Sequence, residues 1–239
     1  MKLCRFLLTD QPEAARSGVF HDNRVYETDG NNAIGIHDLS KIKFLPPVGT
    51  PPSLRVFEPD GTYTYANPAG MLGAVDEFEL PAGVTSLEVE SRVGIVMRDH
   101  ATRIELGEAV GMMIGLTNVM RFRVPGQSPL DAPIAIGPFL HTIDEFPELE
   151  SEAGNLPWRW ELIVNQAQRF ANEESLTLSP AQAVLAATRT NFVNPGDIIA
   201  LPALASPGLA ESSLGRSLQE GDTVQLGFER LGLLTVIIG

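Results

Sequence analysis

The sequence predicts a mixed, β-dominated (α+β) fold. Three observations predict it. Leu, Ile, Val, Gly and Pro are plentiful while Lys/Glu-rich helical runs are absent, a composition that favours strands and turns over long helices. Short apolar stretches recur along the chain, divided by Gly, Pro, Asn and Asp turn signals. Helical spacing stands out at only about two places, from Glu105 to Ile114 and from Ser179 to Arg189.

Taken in order, Lys2 to Leu8 reads as a strand. Gly18-Val19-Phe20-His21 and Arg24-Val25-Tyr26-Glu27 read as a hairpin about Asp22-Asn23. Leu45-Pro46-Pro47-Val48-Gly49-Thr50-Pro51-Pro52 suits neither a helix nor an inner strand. It marks the connection between a small N-terminal β domain, residues 1–44, and a main domain, residues 45–239. Leu54 to Phe57 and Thr62 to Tyr65 flank the turn Glu58-Pro59-Asp60-Gly61, and Asn67-Pro68-Ala69-Gly70 breaks the chain again.

From Ser86 to Met97 the residues alternate. Leu87, Val89, Val93 and Ile95 share one parity, and Glu88, Glu90 and Arg92 share the other, as in a strand with one apolar face. The stretch 105–114 places Leu106, Val110, Met113 and Ile114 on one helical stripe, with the methionines as core filler. Strands are expected over 115–123, 134–140 and 158–165. Ser179-Pro180-Ala181-Gln182 combines an N-cap serine, a first-turn proline and a capping-box glutamine, so a helix starts there. Three closing strands follow the turns at 194–197 and 220–222, the last of them running from Leu233 to Ile238.

The charge balance narrows the partners. Seventeen Lys and Arg against 30 Asp and Glu leave a net charge of −13, which argues against nucleic acid and anionic membrane surfaces, since both demand a positive face. No apolar run reaches the length of a membrane span, and Thr9-Asp10-Gln11-Pro12-Glu13 interrupts the first apolar run too early for a signal peptide. A cytoplasmic protein is the expectation. Cys4 is the single cysteine, so neither an intrachain disulfide nor a cysteine metal cluster can form, and its place in the first strand points to a buried thiol.

Several standard sites are missing. There is no nucleophile elbow, dinucleotide fingerprint, phosphate loop or His-Glu-x-x-His. The four histidines are scattered, and His141, following Gly137-Pro138-Phe139-Leu140, is the best placed for a catalytic role. What remains is Glu88-x-Glu90, two carboxylates about 7 Å apart on one strand face. They repel unless water, a cation or an arginine stands between them. In isolation the pair reads as a solvated face; with a third oxygen ligand it reads as a site for a hard cation such as Mg²⁺.

The order of the short motifs adds more. Leu45-Pro46-Pro47, Pro52-Ser53-Leu54-Arg55, Tyr65-Ala66-Asn67-Pro68, Glu88-Val89-Glu90 and Gly115-Leu116-Thr117 follow one another, then Asp131 with Gly137-Pro138-Phe139. Asn165, the helix from Ser179, Pro195-Gly196-Asp197, Leu218 with Gly221-Asp222, and Glu229 with Gly232-Leu233-Leu234 complete the series. This series, over roughly residues 45–239, resembles the fumarylacetoacetate hydrolase family of acylpyruvate and 2-oxo-acid enzymes. The resemblance implies a mixed β-roll and a homodimer. It also implies a Mg²⁺ or Mn²⁺ ion held by two glutamates, here Glu88 and Glu90, and an aspartate. The substrate would be a small 2-oxo acid or acylpyruvate-like molecule, hydrolysed, decarboxylated or isomerised with the ion as Lewis acid.

Departures from the family pattern cluster at that site. The third ligand falls at Met120-Arg121, where the family has Asn-Asp. The family's lysine is Ser128, its Gly-Thr-Pro substrate loop falls at Pro202-Ala203-Leu204, and no His-x-x-Glu lid stands upstream. The expectation is that Arg121 faces Glu88 and Glu90 and supplies the missing positive charge and a carboxylate-binding fork. Arg121, Ser128 and Pro202 are then the substrate-facing positions, and Arg121 and His141 the catalytic candidates. The other arrangement has Arg121 in solvent and Asp99 or Asp131 completing a weaker metal site. Three functions follow: a metal-dependent family enzyme, a metal-free cyclase or isomerase of a more apolar metabolite, or a non-catalytic binding homologue.

Overall fold

The computed structural model describes residues 1–30, 32–80, 83–84, 87–124, 126, 128, 130, 132–150, 157–204 and 216–239, with backbone alone at 168 and 169. Among the described residues, thirteen strands form one mixed sheet. Its main path starts at the edge strand Asn32–Asp38 and runs through Arg24–Asp29, Gln11–His21, Lys2–Leu8 and Leu140–Thr142. It continues through Met113–Arg123, Glu88–Met97, Ile198–Ala200 and Leu54–Phe57 to Tyr63–Ala66. A second sheet orders Gln168–Ser175, Pro157–Val164, Thr223–Phe228, Gly232–Ile238 and Glu77–Phe78. The strand-dominated α+β expectation holds.

The largest core fills the space between the sheets. Val89, Val93 and Ile95 meet Leu162, Leu226 and Val236 there, with Ala183, Val184 and Ala187 of the single α-helix. A second core of Leu54, Val56, Val96, Val119, Ile136 and Ile198 covers the opposite face of the same long strands. Strand Glu88–Met97 is therefore buried on both faces after its first residue, and the solvated polar face suggested by its alternation is absent. That enclosure positions the site.

The helix Pro180–Arg189 begins as its sequence dictates. Ser179 Oγ accepts from the Gln182 backbone N–H at 3.3 Å, and Gln182 Oε1 accepts from the Ser179 N–H at 2.9 Å. Ser179→Ala is expected to remove about 1 kcal/mol, read as a fall of roughly 2–4 °C in Tm by calorimetry.

Two expected elements come out differently. The stretch 105–114 forms short 3₁₀ turns at Leu106–Glu108 and Val110–Met112 and then enters the strand at Met113. Gly107 and Gly111 each cost a helix about 1 kcal/mol relative to alanine, and the apolar stripe is divided, with Leu106 44% exposed while Met113 is buried in the main core as the first residue of the strand. The expected strand 134–140 divides into Ile134–Ile136 and Leu140–Thr142 around Gly137-Pro138, where proline removes a ladder donor. The strand Gln168–Ser175 was not foreseen. Asn165 and Gln166, with φ of 52° and 59°, form a tight turn that folds this polar segment back on Pro157–Val164.

The N-terminal segment has a small core of its own, Cys4, Phe6, Leu8 and Val25. Its first strand also continues the main sheet, with Lys2 opposite His141 and Leu3 opposite Leu140, and pairs with Ile42–Leu45. Burial pushes the Cys4 thiol up to about 12. No helix among the described residues is long and apolar enough to cross a membrane.

Candidate functional site

The antiparallel register of Glu88–Met97 with Met113–Arg123 builds the site. It sets Glu88 opposite Arg123, Glu90 opposite Arg121 and Arg92 opposite Val119. Same-parity residues on adjacent strands share a face, so these side chains converge. Glu90 Oε2 accepts from Arg92 Nε at 2.9 Å and from Arg121 Nη1 at 3.5 Å, and Glu90 Oε1 accepts from Arg123 Nη1 at 3.0 Å. Arg92 Nη2 lies 2.8 Å from Glu90 Oε2. Three guanidinium groups therefore surround one carboxylate.

Arg92 also binds the chain around it. Its Nη1 donates to the carbonyls of Phe57, at 2.6 Å, and Leu201, at 2.9 Å, and its Nη2 reaches Glu58 Oε1 at 3.4 Å. Glu90, Arg92 and Arg121 are buried. The outer pair is more open: Arg123 is 41% exposed and Glu88 31%, with 3.8 Å between them. Burial alone would raise the Glu90 pKa, but the charges of Arg92 and Arg121 and the hydrogen bonds from Arg123 and Arg92 outweigh it and hold the carboxyl below its ordinary value. Burial draws Arg121 down, opposed by Glu90, whereas the Glu90 hydrogen bond raises Arg123.

Of the two carboxylates Arg121 was expected to face, Glu90 lies 3.5 Å from its Nη1, while Glu88 pairs with Arg123. Arg92 is the residue the sequence reading passed over; its signal was its place two residues beyond Glu90 on the same strand face. Pro202 is buried beside the cluster, because Leu201 N–H donates to Val93 O at 2.8 Å and Leu204 N–H to Ser91 O at 2.9 Å. Ser128 is exposed, and its Oγ accepts from the Leu130 N–H at 3.3 Å.

His141 stands elsewhere. It is paired in register with Leu116, five residues from Arg121, or roughly 17 Å along the strand. The ring is buried, with Nδ1 2.9 Å from Glu145 Oε2, and burial lowers its pKa against the pull of Glu145. Asp99 forms an exposed pair with Arg98, and Asp131 lies outside the described residues. A surface groove of about 610 Å³ on the five-stranded sheet, lined by Trp160, Glu161, Gly227 and Leu233 among others, shares no residue with the cluster.

A divalent cation requires carboxylate lone pairs facing it and little competing positive charge. Here both Glu90 oxygens accept from guanidinium groups, and an ion between Glu88 and Glu90 would stand among three cations. Among the described residues, no group of three His, Cys, Asp or Glu is placed to hold a metal. Among the described residues, the donor set does not fit the ion.

Residues 54–238 match the family model described as the fumarylacetoacetate (FAA) hydrolase C-terminal domain. A search of curated proteins gives no match. Among solved structures, the fumarylacetoacetate hydrolase of Exiguobacterium antarcticum superposes with a TM-score of 0.80 at 19% identity, covering 100% of this chain and 99% of its own. The 5-carboxymethyl-2-hydroxymuconate delta-isomerase of Mycobacterium smegmatis gives 0.79 at 16%, over 100% and 98%. The maleylpyruvate hydrolase of Sphingobium sp. SYK-6, in complex with manganese(II) and pyruvate, gives 0.78 at 17%, also over 100% and 98%. The structural likeness establishes the fold and the family model spans most of the sequence: this chain belongs to the fumarylacetoacetate hydrolase family.

Proposed function

We propose that this chain acts on a small 2-oxo or acylpyruvate-like acid, with guanidinium groups in place of a resident divalent ion at the Glu88–Glu90 strand. The observation that carries the reading is the convergence of Arg92, Arg121 and Arg123 on Glu90. Family membership supplies the substrate class, and a relative of the same fold was solved with pyruvate, a 2-oxo acid.

The roles divide by exposure. Arg123, the open guanidinium, presents planar donors suited to a carboxylate, while buried Arg121 keeps positive charge beneath it. Hydrogen-bond donors fixed in such an enclosed place stabilise an enolate oxygen as charge develops on it. Glu90, held ionised by its arginines, positions them and is not the base. Glu58 and Glu88 retain exposure, so they are the carboxylates able to take a proton from the carbon next to the 2-oxo group. Returning that proton to another carbon is an isomerisation, the reaction that asks least of a site without an ion.

Manganese titration followed by electron paramagnetic resonance, with an acylpyruvate panel assayed with and without chelator, tests this. Turnover indifferent to chelator is expected, together with an Arg123→Ala variant whose KM rises about 10- to 100-fold, the worth of a charge-assisted hydrogen bond. Micromolar manganese binding abolished by Glu88→Ala, or turnover lost in chelator, would restore the metal-dependent reading. A second reading, a binding homologue without catalysis, is favoured by the internal satisfaction of Arg92, whose donors all meet protein acceptors. Ligand binding with no turnover across the panel decides for it.

A further inference from the structure

Two Asp-Gly steps occur in the sequence, Asp29-Gly30 and Asp60-Gly61. Such a step is open to attack by the glycine amide nitrogen on the aspartate side-chain carbonyl. Glycine has no Cβ to shield that nitrogen or to restrict the turn the attack requires. The reaction needs the nitrogen free of acceptors, the carboxyl free to swing onto it, and a backbone able to rotate. The two steps differ on each count.

Asp60-Gly61 is held shut. Gly61 N–H donates to Glu58 O at 2.9 Å, which engages the attacking atom. Asp60 Oδ1 accepts from the Thr62 N–H at 2.9 Å and from Thr62 Oγ1 at 2.6 Å. Those bonds tie the carboxyl to Thr62 and hold it below the usual carboxylate range. Attack expels the hydroxyl as water, so it proceeds through the protonated carboxyl, the form these bonds disfavour.

Asp29-Gly30 carries none of these restraints. Both residues are exposed at the tip of the hairpin formed by Arg24–Asp29 and Asn32–Asp38. Among the described residues, the Asp29 carboxyl has no hydrogen bond or ion pair, and the Gly30 N–H has no acceptor. Gly30 sits at φ 58°, in the left-handed region, and a methyl group there would meet nothing within 4 Å. Rotation at Asp29 disturbs little. The ladder shifts register between Glu27 and Thr28, which sets the terminal pairs Thr28–Ala33 and Asp29–Asn32 apart from the rest. Strand Asn32–Asp38 has no second neighbour among the described residues, and ladder ends of this kind open at small cost.

We propose that Asp29-Gly30 is a site of spontaneous aspartate isomerisation, whose product suits a carboxyl methyltransferase that recognises β-linked aspartate. Gly30 N forms a bond to Asp29 Cγ. Its proton and the side-chain hydroxyl leave together as water, and a five-membered succinimide remains. Water then adds at the Asp29 main-chain carbonyl and breaks the bond from that carbon to Gly30 N. The chain now runs through the side-chain carbonyl, one carbon longer, and the main-chain carbonyl has become a free carboxylate. One water leaves and one enters, so no oxidant or cofactor takes part. The new carboxylate is the group a methyl donor esterifies. The added carbon alters the spacing on which the Asp29–Asn32 pair depends, so the isomer is expected to loosen the outer strand.

Prolonged incubation of the full chain at neutral pH, folded and in parallel in urea, tests the proposal. Peptide mapping with electron-transfer fragmentation locates β-linked aspartate, and methyl transfer from S-adenosylmethionine by an isoaspartyl methyltransferase counts it. In the folded chain, conversion at Asp29 is expected to exceed that at Asp60 by on the order of tenfold, because protection follows the local opening free energy. In urea the two sites are expected to convert at comparable rates. Asp29→Glu has a longer side chain that would have to close a six-membered ring. This variant is expected to lose most of the methyl-accepting signal of the folded chain, with circular dichroism unchanged. Equal conversion at Asp29 and Asp60 in the folded chain overturns the proposal, as does conversion at Asp29 in urea alone.

Discussion

Glu90→Ala is expected to remove about 3–5 kcal/mol of stability, the cost of stripping one partner from a buried ion pair. The carboxylate is the meeting point of Arg92, Arg121 and Arg123, and the first two of these are buried with it. Without it, two guanidinium groups face each other with little access to water. Urea unfolding measures the loss, and Glu90→Gln, which keeps shape and hydrogen-bond acceptance but not charge, is expected to fall between alanine and wild type. The pH dependence has a definite sign. Glu90 titrates below its ordinary value when folded, and an unfolded glutamate titrates near 4.3. Its contribution is therefore complete above about pH 4.3 and is lost as the pH falls through the lower folded value. The stability gap between wild type and Glu90→Gln should be flat near neutrality and close only in acid. A gap of less than 1 kcal/mol at pH 7 would mean that the cluster is not closed as described.

Gly115→Ala is the second large effect. Gly115 lies where the strand Met113–Arg123 passes Leu140–Thr142, opposite Thr142. A methyl group there would land on the backbone carbonyl of His141 and against the Cα of Thr142. Backbone cannot rotate aside as a flexible side chain can, so the expected loss is about 3 kcal/mol or more, at or beyond the upper end of ordinary overpacking. Gly111→Ala makes the control, since a methyl there meets nothing within 4 Å. Calorimetry on the two variants should show a large fall in Tm for the first and little change for the second. Equal, small effects would show that the two strands can separate without loss.

Much of the fold was legible because local chemistry and tertiary packing agree. The Ser179 cap, the Asp22-Asn23 hairpin and the strand alternation at Pro157–Val164 each state a geometry that the packed chain keeps. The misread parts are those where long-range contacts override local pattern. Helical spacing at 105–114 yields to two glycines and to the strand that begins at Met113. Charged alternation at Glu88–Arg92 looks solvated until a second core is known to cover that face. Arg121 opposite Glu90 could be anticipated from the order of motifs and Arg92 from its place two residues beyond Glu90, whereas the hydrogen bonds of Arg92 to Phe57 and Leu201 could not, because those residues are distant in sequence. His141 shows the converse: a histidine after a strand signal carries no information about which site, if any, it faces.

The burial of Cys4 has a kinetic consequence. Thiolate is the form that reacts with alkylating agents and disulfides. With the thiol pushed up to about 12, only on the order of one molecule in a hundred thousand carries it at pH 7 while folded. Because the chain has no other cysteine, covalent labelling is silent until the N-terminal sheet opens and the residue reaches water. The chain thus holds a single chemical clock for local opening, placed in the same sheet whose outer edge meets solvent at Ile34 and Ile36.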